Sequence, residues 1–423
     1  MKKAGIFGFI FSLVIALAGC FSENKVSVQN ISNQYRNDLH YLHPEYSLYH
    51  LNDTVSLLYF KIDESELLYI RRNQADSFSA SVKIVSKVTE SYDADFLLDT
   101  NSLTLNFTSS TNTKREYAVG SIPIKLKAGN THLITITTLD LVSRKSETTF
   151  ITADKSNPSS DQNFVVRDPA NGYIIFTRSI DSTTTYAISY SKPVTQFYVN
   201  YYSRSFPVAA PPFSIIEPKP FIYKPDSSFV IKAASSGVAL LTLKGTGFYH
   251  IQVDTNTHYG LTLYRYPKHF PIIGEAYQMV APLRYITTND EYDRVNNAKN
   301  VKGAVDEFWI NTAGNTKERA RALIKNYYNR VQDANKFFTS YEEGWKTDRG
   351  MVYIVYGPPS SIFRNASGET WTYGEDKNFL TISFTFSKIN NPFSDNDYAL
   401  ERQQQYRNLW YNAVDIWREG RVY

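Results

Sequence analysis

The hydrophobic period of this chain changes once. Up to about Pro267 the apolar residues alternate or run in short β-branched and aromatic stretches, and after Phe270 they recur every three to four positions. Period two belongs to half-buried strands and period 3.6 to amphipathic helices, so a mainly β part must precede a helix-bearing one. Stretches 55–62, 78–85 and 133–139 are the clearest strands of a first block, 46–155, with turn signals at Asn52-Asp53, Asp99-Thr-Asn101 and Ala128-Gly129-Asn130. Strands at such short spacing predict an antiparallel β-sandwich. Residues 156–163 read as a linker. A second sandwich is expected over 164–270, with strands at 172–177, 185–190, 194–202, 229–232, 238–243 and 247–253. Pro207, Pro211, Pro212, Pro218 and Pro220 exclude a central strand between the third and fourth of these and predict a long edge loop.

The last block, 271–423, reads as α+β. Val301, Val305, Phe308 and Trp309 share one helix face. Asn315-Thr-Lys-Glu318 has capping-box spacing, and a long helix is expected from there to about Tyr341, with Leu323, Ile324, Tyr327, Val331, Ala334 and Phe338 on its stripe and Gly344 as its stop. Stretch 351–356 reads as a buried strand ended by Gly357-Pro358-Pro359. Stretches 370–373 and 380–386 complete a small sheet, and a final helix carries Leu409, Trp410, Ala413, Ile416 and Trp417 up to Gly420. The expected fold class is therefore multidomain: two mainly antiparallel β-sandwiches followed by an α+β domain.

The N-terminus bears on destination. Lys2 and Lys3 precede an apolar run over 6–18 that is short for a membrane span, and the run ends in Leu17-Ala18-Gly19-Cys20. This segment resembles the signal peptide and lipobox of bacterial lipoproteins. The resemblance implies a signal over 1–19, diacylglycerol and acyl chains on Cys20, and a lipidated tether over 20–45; no other cofactor is expected. Several chains anchor stably where one does not. Surface-exported lipoproteins of this kind resemble one another in an acidic run after the cysteine. Phe21-Ser-Glu-Asn-Lys25 lacks it, so the periplasmic face of the outer membrane is expected. Cys20 is the only cysteine, so the mature chain has no internal disulfide and no cysteine metal site. Without Lys2 and Lys3 the 45 basic residues become 43 against 41 acidic ones, a balance that does not suggest nucleic acid.

Gly344-Trp345-Lys346-Thr347-Asp348-Arg349-Gly350, followed by Tyr353-Ile-Val-Tyr-Gly357-Pro358-Pro359, resembles the GWxTD domain family, known mainly from lipoproteins and exported proteins of Bacteroidota and neighbouring phyla. Phe308-Trp309, Tyr327-Tyr328, Arg330, Ala334-Asn335, Trp371 and Tyr373 fit too, and the resemblance is expected to cover about 273–423. The family implies no mechanism. Read physically, the motif is a corner: Gly344 leaves the helix through a positive φ, and Trp345 folds over the stripe. Thr347 and Asp348 accept backbone N–H bonds, Arg349 forks to Glu307, Glu318 or Glu343, and Gly350 clears room for the strand.

Catalytic readings are thin. Glu343 with Asp348, or Asp306 with Glu307, are sequence neighbours, whereas an acid/base pair needs carboxyls in different environments across a cleft. The last histidine, His269, precedes the whole motif. His40, His43 and His50 near Glu45 offer at most a weak metal site, and surface histidines are the plainer reading. The expectation is no catalytic residue and no metal: a non-catalytic scaffold or accessory lipoprotein whose sandwiches project the GWxTD-like head towards an outer-membrane or periplasmic protein complex. The alternatives are a glycan-binding lipoprotein, suggested by 32 tyrosines, and a hydrolase using the acidic residues near Asp348.

Overall fold

A computed structural model describes residues 26–36, 42–71, 73–74, 76–114, 116–180, 184–215, 221–374 and 381–422. Cys20, the signal-like segment, His40, Pro218 and Pro220 lie outside the described residues.

Seven strands build the first sandwich: β1 (Glu45–His50), β2 (Val55–Asp63), β3 (Phe78–Thr89), β4 (Asp99–Ser109), β5 (Tyr117–Lys125), β6 (Thr131–Asp140) and β7 (Ser146–Asp154). They form two antiparallel sheets, ordered β1-β2-β5 and β4-β3-β6-β7. Alternation decides which residues turn inward: Leu58, Phe60 and Ile62 of β2 meet Val82, Ile84 and Ile134 of the other sheet in one apolar core.

The second sandwich uses β8 (Phe164–Arg167), β9 (Tyr186–Tyr190), β10 (Gln196–Tyr202), β11 (Ser227–Lys232), β12 (Ala239–Leu241), β13 (Gly247–Gln252) and β14 (Leu261–Arg265), in antiparallel sheets ordered β12-β9-β8 and β11-β10-β13-β14. The strand expected over 172–177 does not form. Asp168 caps a tight turn, and the returning chain makes a single bridge from Ile174 to Arg167. The expected linker is also different in kind. Ser159, Ser160, Gln162 and Asn163 are buried, and Gln162 closes two hydrogen bonds on β7, to the Asp154 N–H and the Thr152 carbonyl. A segment rich in small polar residues can be solvated or can satisfy a junction, and composition does not say which.

The C-terminal part comprises α1 (Ala276–Val280), α2 (Asn289–Asn296), α3 (Val301–Thr312), α4 (Lys317–Phe338) and α5 (Asp348–Tyr356), then β15 (Ser361–Arg364), β16 (Gly368–Tyr373), β17 (Ile382–Lys388), β18 (Tyr398–Leu400) and α6 (Tyr406–Arg418). The strands form an antiparallel sheet in sequence order. Three expectations are corrected here. The 351–356 stretch is helix, not strand: a run of six apolar residues fits a buried element of either kind, and Thr347 decides it by accepting the Gly350 N–H as N-cap. The capping box at 315–318 is absent, because Asn315 takes a positive φ of 64° and α4 begins at Lys317. Helix α4 also stops at Phe338 through an extended Thr339, six residues before Gly344.

Candidate functional site

The GWxTD corner joins α4 to α5, and each of its residues has a partner. Gly344 does not take a positive φ. It is needed for close approach: a Cβ there would drive into the Ala334 carbonyl oxygen of α4. Gly350 stands likewise against the Gly344 carbonyl, so the two glycines let the corner fold flat on itself. Trp345 is buried; its N–H donates to Asn335 Oδ1 (3.1 Å) and its carbonyl accepts from Tyr285 Oη (2.8 Å). Thr347 Oγ1 donates to the Gly344 carbonyl while capping α5.

Asp348 does not face Arg349. It forks with Arg402, through Oδ1 to Nη2 (2.5 Å) and Oδ2 to Nη1 (3.0 Å), and Oδ2 also accepts the Leu400 N–H at 2.8 Å. The same guanidinium donates to the Ala210 carbonyl (3.1 Å), and Ala209 N–H donates to the Lys346 carbonyl (2.9 Å). The proline-rich loop is therefore seated on the corner. Fork geometry fixes the register of both partners, as a point charge would not.

At the far end of α5, Gly357 takes a φ of 83°. The carbonyls left open by the helix end accept from Arg330 Nη1 at Ile354 and Val355, and from Trp417 Nε1 at Val355. Pro358 is exposed and Pro359 buried, where the chain turns into β15.

Arg349 was expected to meet Glu307, Glu318 or Glu343. Instead it is buried with Glu369 of β16 (3.5 Å), which also holds Arg364 (2.6 Å) and the Trp371 indole N–H (2.9 Å). Burial alone would raise the Glu369 carboxyl, but the charges of Arg364 and Arg349 and these hydrogen bonds hold it down at about 2. Tyr35 completes the cluster. Its hydroxyl donates to Glu369 Oε1 (2.9 Å) and accepts from Arg364 Nη2 (2.8 Å) and Arg349 Nη1 (3.3 Å), while its ring packs among Phe338, Trp371 and Phe337.

Residues 26–36 are thus a strap rather than part of a loose tether. Ile31 N–H donates to the Ile362 carbonyl (2.9 Å), Asn30 Oδ1 accepts the Ile362 N–H (3.0 Å), and Tyr353 Oη donates to the Tyr35 carbonyl (2.9 Å). Tyr35, Glu369, Arg364 and Arg402 were not anticipated. For Glu369 a signal existed: alternation puts it on the same buried face of β16 as Trp371 and Tyr373.

Neither carboxylate pair considered and set aside from sequence stands free of cations. Glu343 pairs with Lys346, and Asp306 with Lys302. Burial and then the charges of Asp397 and Asp348 push the Glu342 carboxyl up to about 8. The histidines part company: His43 binds Glu66 and the Arg36 carbonyl, His50 binds Ser56 and the Asp154 carbonyl, and Glu45 pairs with Lys61. Among the described residues no group of three His, Cys, Asp or Glu side chains is placed to hold a metal, and no helix is long and apolar enough to cross a membrane. A cleft of about 810 Å³ opens where the two sandwiches meet the C-terminal part, lined by Asp161, Arg178, Tyr259, Lys336 and Asp395 among others. Asp161 and Arg178 pair across 2.5 Å, and burial, then the Asp161 charge, raises the Asp395 carboxyl.

The chain carries a GWxTD domain: residues 247–419 match it. The match begins at Gly247, ahead of the start near residue 273 expected from sequence, and so takes in β13 and β14. The packing explains why this hairpin belongs with the helices. Phe393, from the loop between β17 and β18, sits among Tyr202, Phe248 and Tyr264, and Tyr264 Oη donates to its carbonyl at 2.6 Å. No curated protein matches the sequence. Among solved structures, Bacteroides uniformis beta-glucuronidase 2, covalently bound to cyclophellitol-6-carboxylate aziridine, is similar at 10% identity over 28% of this chain, with a TM-score of 0.18; the chain spans 15% of that protein's length.

Proposed function

We propose that this GWxTD-domain chain is a membrane-anchored lipoprotein, acylated on Cys20, that serves as a non-catalytic scaffold or accessory subunit of an outer-membrane or periplasmic protein complex. The observation that carries this reading is the strap. Six residues after Cys20 the chain enters the GWxTD domain, and by Tyr35 it is part of a buried ionic cluster there. A lipid on Cys20 would hold a body whose parts are joined by buried contacts, which suits a subunit that must present a fixed surface. The motif residues fit the same reading, since Asp348 and Arg349 spend their charges on internal partners. Affinity purification of tagged protein from detergent-solubilised membranes tests it: a stoichiometric protein partner is expected, and recovery of the chain alone counts against it. Periplasmic placement has its own check. Proteinase added to intact cells should leave the chain whole until the outer membrane is permeabilised.

A second reading, glycan binding, draws on the cleft, where carboxylate, guanidinium and ammonium groups converge beside a partly exposed Tyr259. Binding of the purified protein to polysaccharide arrays, lost on Tyr259→Ala, would favour it over the scaffold. The hydrolase reading rests on Glu342, Asp397 and Asp348, of which Asp348 is already engaged by Arg402.

A further inference from the structure

The strap limits which face of the protein meets the bilayer. Five residues separate Cys20 from Val26, so a fully extended chain carries the two no farther apart than roughly 20 Å. At its outer end the strap touches two other segments. Ser27 Oγ donates to Asp93 Oδ1 (2.5 Å) and Ser27 N–H to the Tyr92 carbonyl, both in the β3–β4 loop, and Ile31 pairs with Ile362 of β15. Each of the three segments exposes a large apolar side chain within four residues of these contacts along the chain: Val28 (59% exposed) on the strap, Phe96 (74%) on the loop and Phe363 (40%) beside Ile362. Singly these would mean little. The segments that carry them meet where the chain departs towards Cys20, and that gives them a common partner.

We infer that this face, formed by the strap, the β3–β4 loop and β15, rests on the phospholipid bilayer, so that the GWxTD domain is membrane-proximal rather than projected outward by the sandwiches. The inference rests on the anchor reading above. The loop also carries Asp93 and Asp95, so the surface it fits is zwitterionic rather than strongly anionic. The apolar side chains are few, so they orient the protein at the interface while the acyl chains supply the anchoring.

Acylation of Cys20 leaves no native thiol, so an introduced cysteine takes a label uniquely. Val28→Cys, Phe96→Cys, Phe363→Cys and, on β12, Leu240→Cys are each made in the full-length lipoprotein, labelled with an environment-sensitive fluorophore, and reconstituted into phosphatidylcholine vesicles holding a nitroxide-bearing lipid. Loss of most emission is expected at 28, 96 and 363, with emission at 240 retained. Quenching at 240 alone, equal quenching at all four, or none at any while the protein floats with the vesicles overturns the orientation. A Cys20 peptide without acyl mass, from protein that does not float, overturns the anchor reading and this orientation with it.

Discussion

Tyr35 Oη donates a 2.9 Å hydrogen bond to Glu369 Oε1, joining two buried residues 334 positions apart in sequence. The bond ties the strap to β16 and so links the segment after Cys20 to the GWxTD domain. Tyr35→Phe keeps the ring packing and removes a hydroxyl that serves one carboxylate and two guanidinium groups. It is expected to cost about 1.5–3 kcal/mol, the scale of a hydrogen bond to a charged group. Glu369→Gln leaves Arg349 and Arg364 without their buried counter-charge and should cost more, about 3–5 kcal/mol. Chemical denaturation measures both. A Tyr35→Phe protein as stable as the parent would show that packing alone seats the strap.

Asp348→Asn keeps the shape of the carboxylate and one acceptor oxygen but loses the charge facing Arg402. A loss of about 1–3 kcal/mol is expected, with Asp348→Ala worse because the Arg402 guanidinium then stands unneutralised in a largely buried site. In a double-mutant cycle with Arg402→Gln the two changes should be strongly non-additive. Activity in a complementation assay should track the folded fraction. A fully stable Asp348→Asn protein that is functionally dead would make the corner a chemical site.

Trp345→Ala removes a buried indole wedged beside Tyr285 and under Lys346. It should destabilise the GWxTD domain by about 3–5 kcal/mol, as expected for an aromatic lost from a core. A melt identical to the parent's, with partner capture abolished, would instead make Trp345 a contact residue.

Glu342 predicts a slope of stability with pH. Its folded carboxyl is raised to about 8, from an ordinary value of 4.5, by burial and by Asp397 and Asp348. The folded state therefore holds a proton that the unfolded chain releases near 4.5. The contribution is full below that pH and is lost as pH rises through about 8. Glu147, raised to about 7 by burial, and His43, raised by its hydrogen bond to Glu66, act in the same direction. The parent Tm should fall between pH 5 and pH 9, and Glu342→Gln should flatten part of that fall. Equal slopes in parent and variant would remove Glu342 from the account.

Cys20→Ala should leave unprocessed precursor and abolish membrane fractionation, since neither acylation nor lipoprotein-type cleavage can then occur. A variant that still matures and still pellets with membranes after a salt wash would end the anchor reading.

Sequence by itself determined the order of architectures. Period two over 55–62, 78–85 and 133–139 and period 3.6 over 301–338 are local patterns, and each is realised as the strand or helix it implies because one face of a regular element must be apolar to be buried. That a corner follows the long helix was also readable, but its partners and the helix that leaves it were not. What failed was local ambiguity resolved by distant packing. The run 351–356 is apolar on every side, so its period carries no information; it became α5 because Thr347 caps it and because α4, β18 and α6 surround it. Charge partners failed for a related reason. Asp348 chose Arg402 and Arg349 chose Glu369 over nearer candidates, because a buried ion must find its counter-ion wherever the fold brings one. The strap shows the limit most plainly. Residues 26–36 look like a polar tether, and only tertiary structure turned Tyr35 into a core residue, because the hydroxyl and ring it carries are what the Glu369 cluster and the aromatic layer beneath it still lacked.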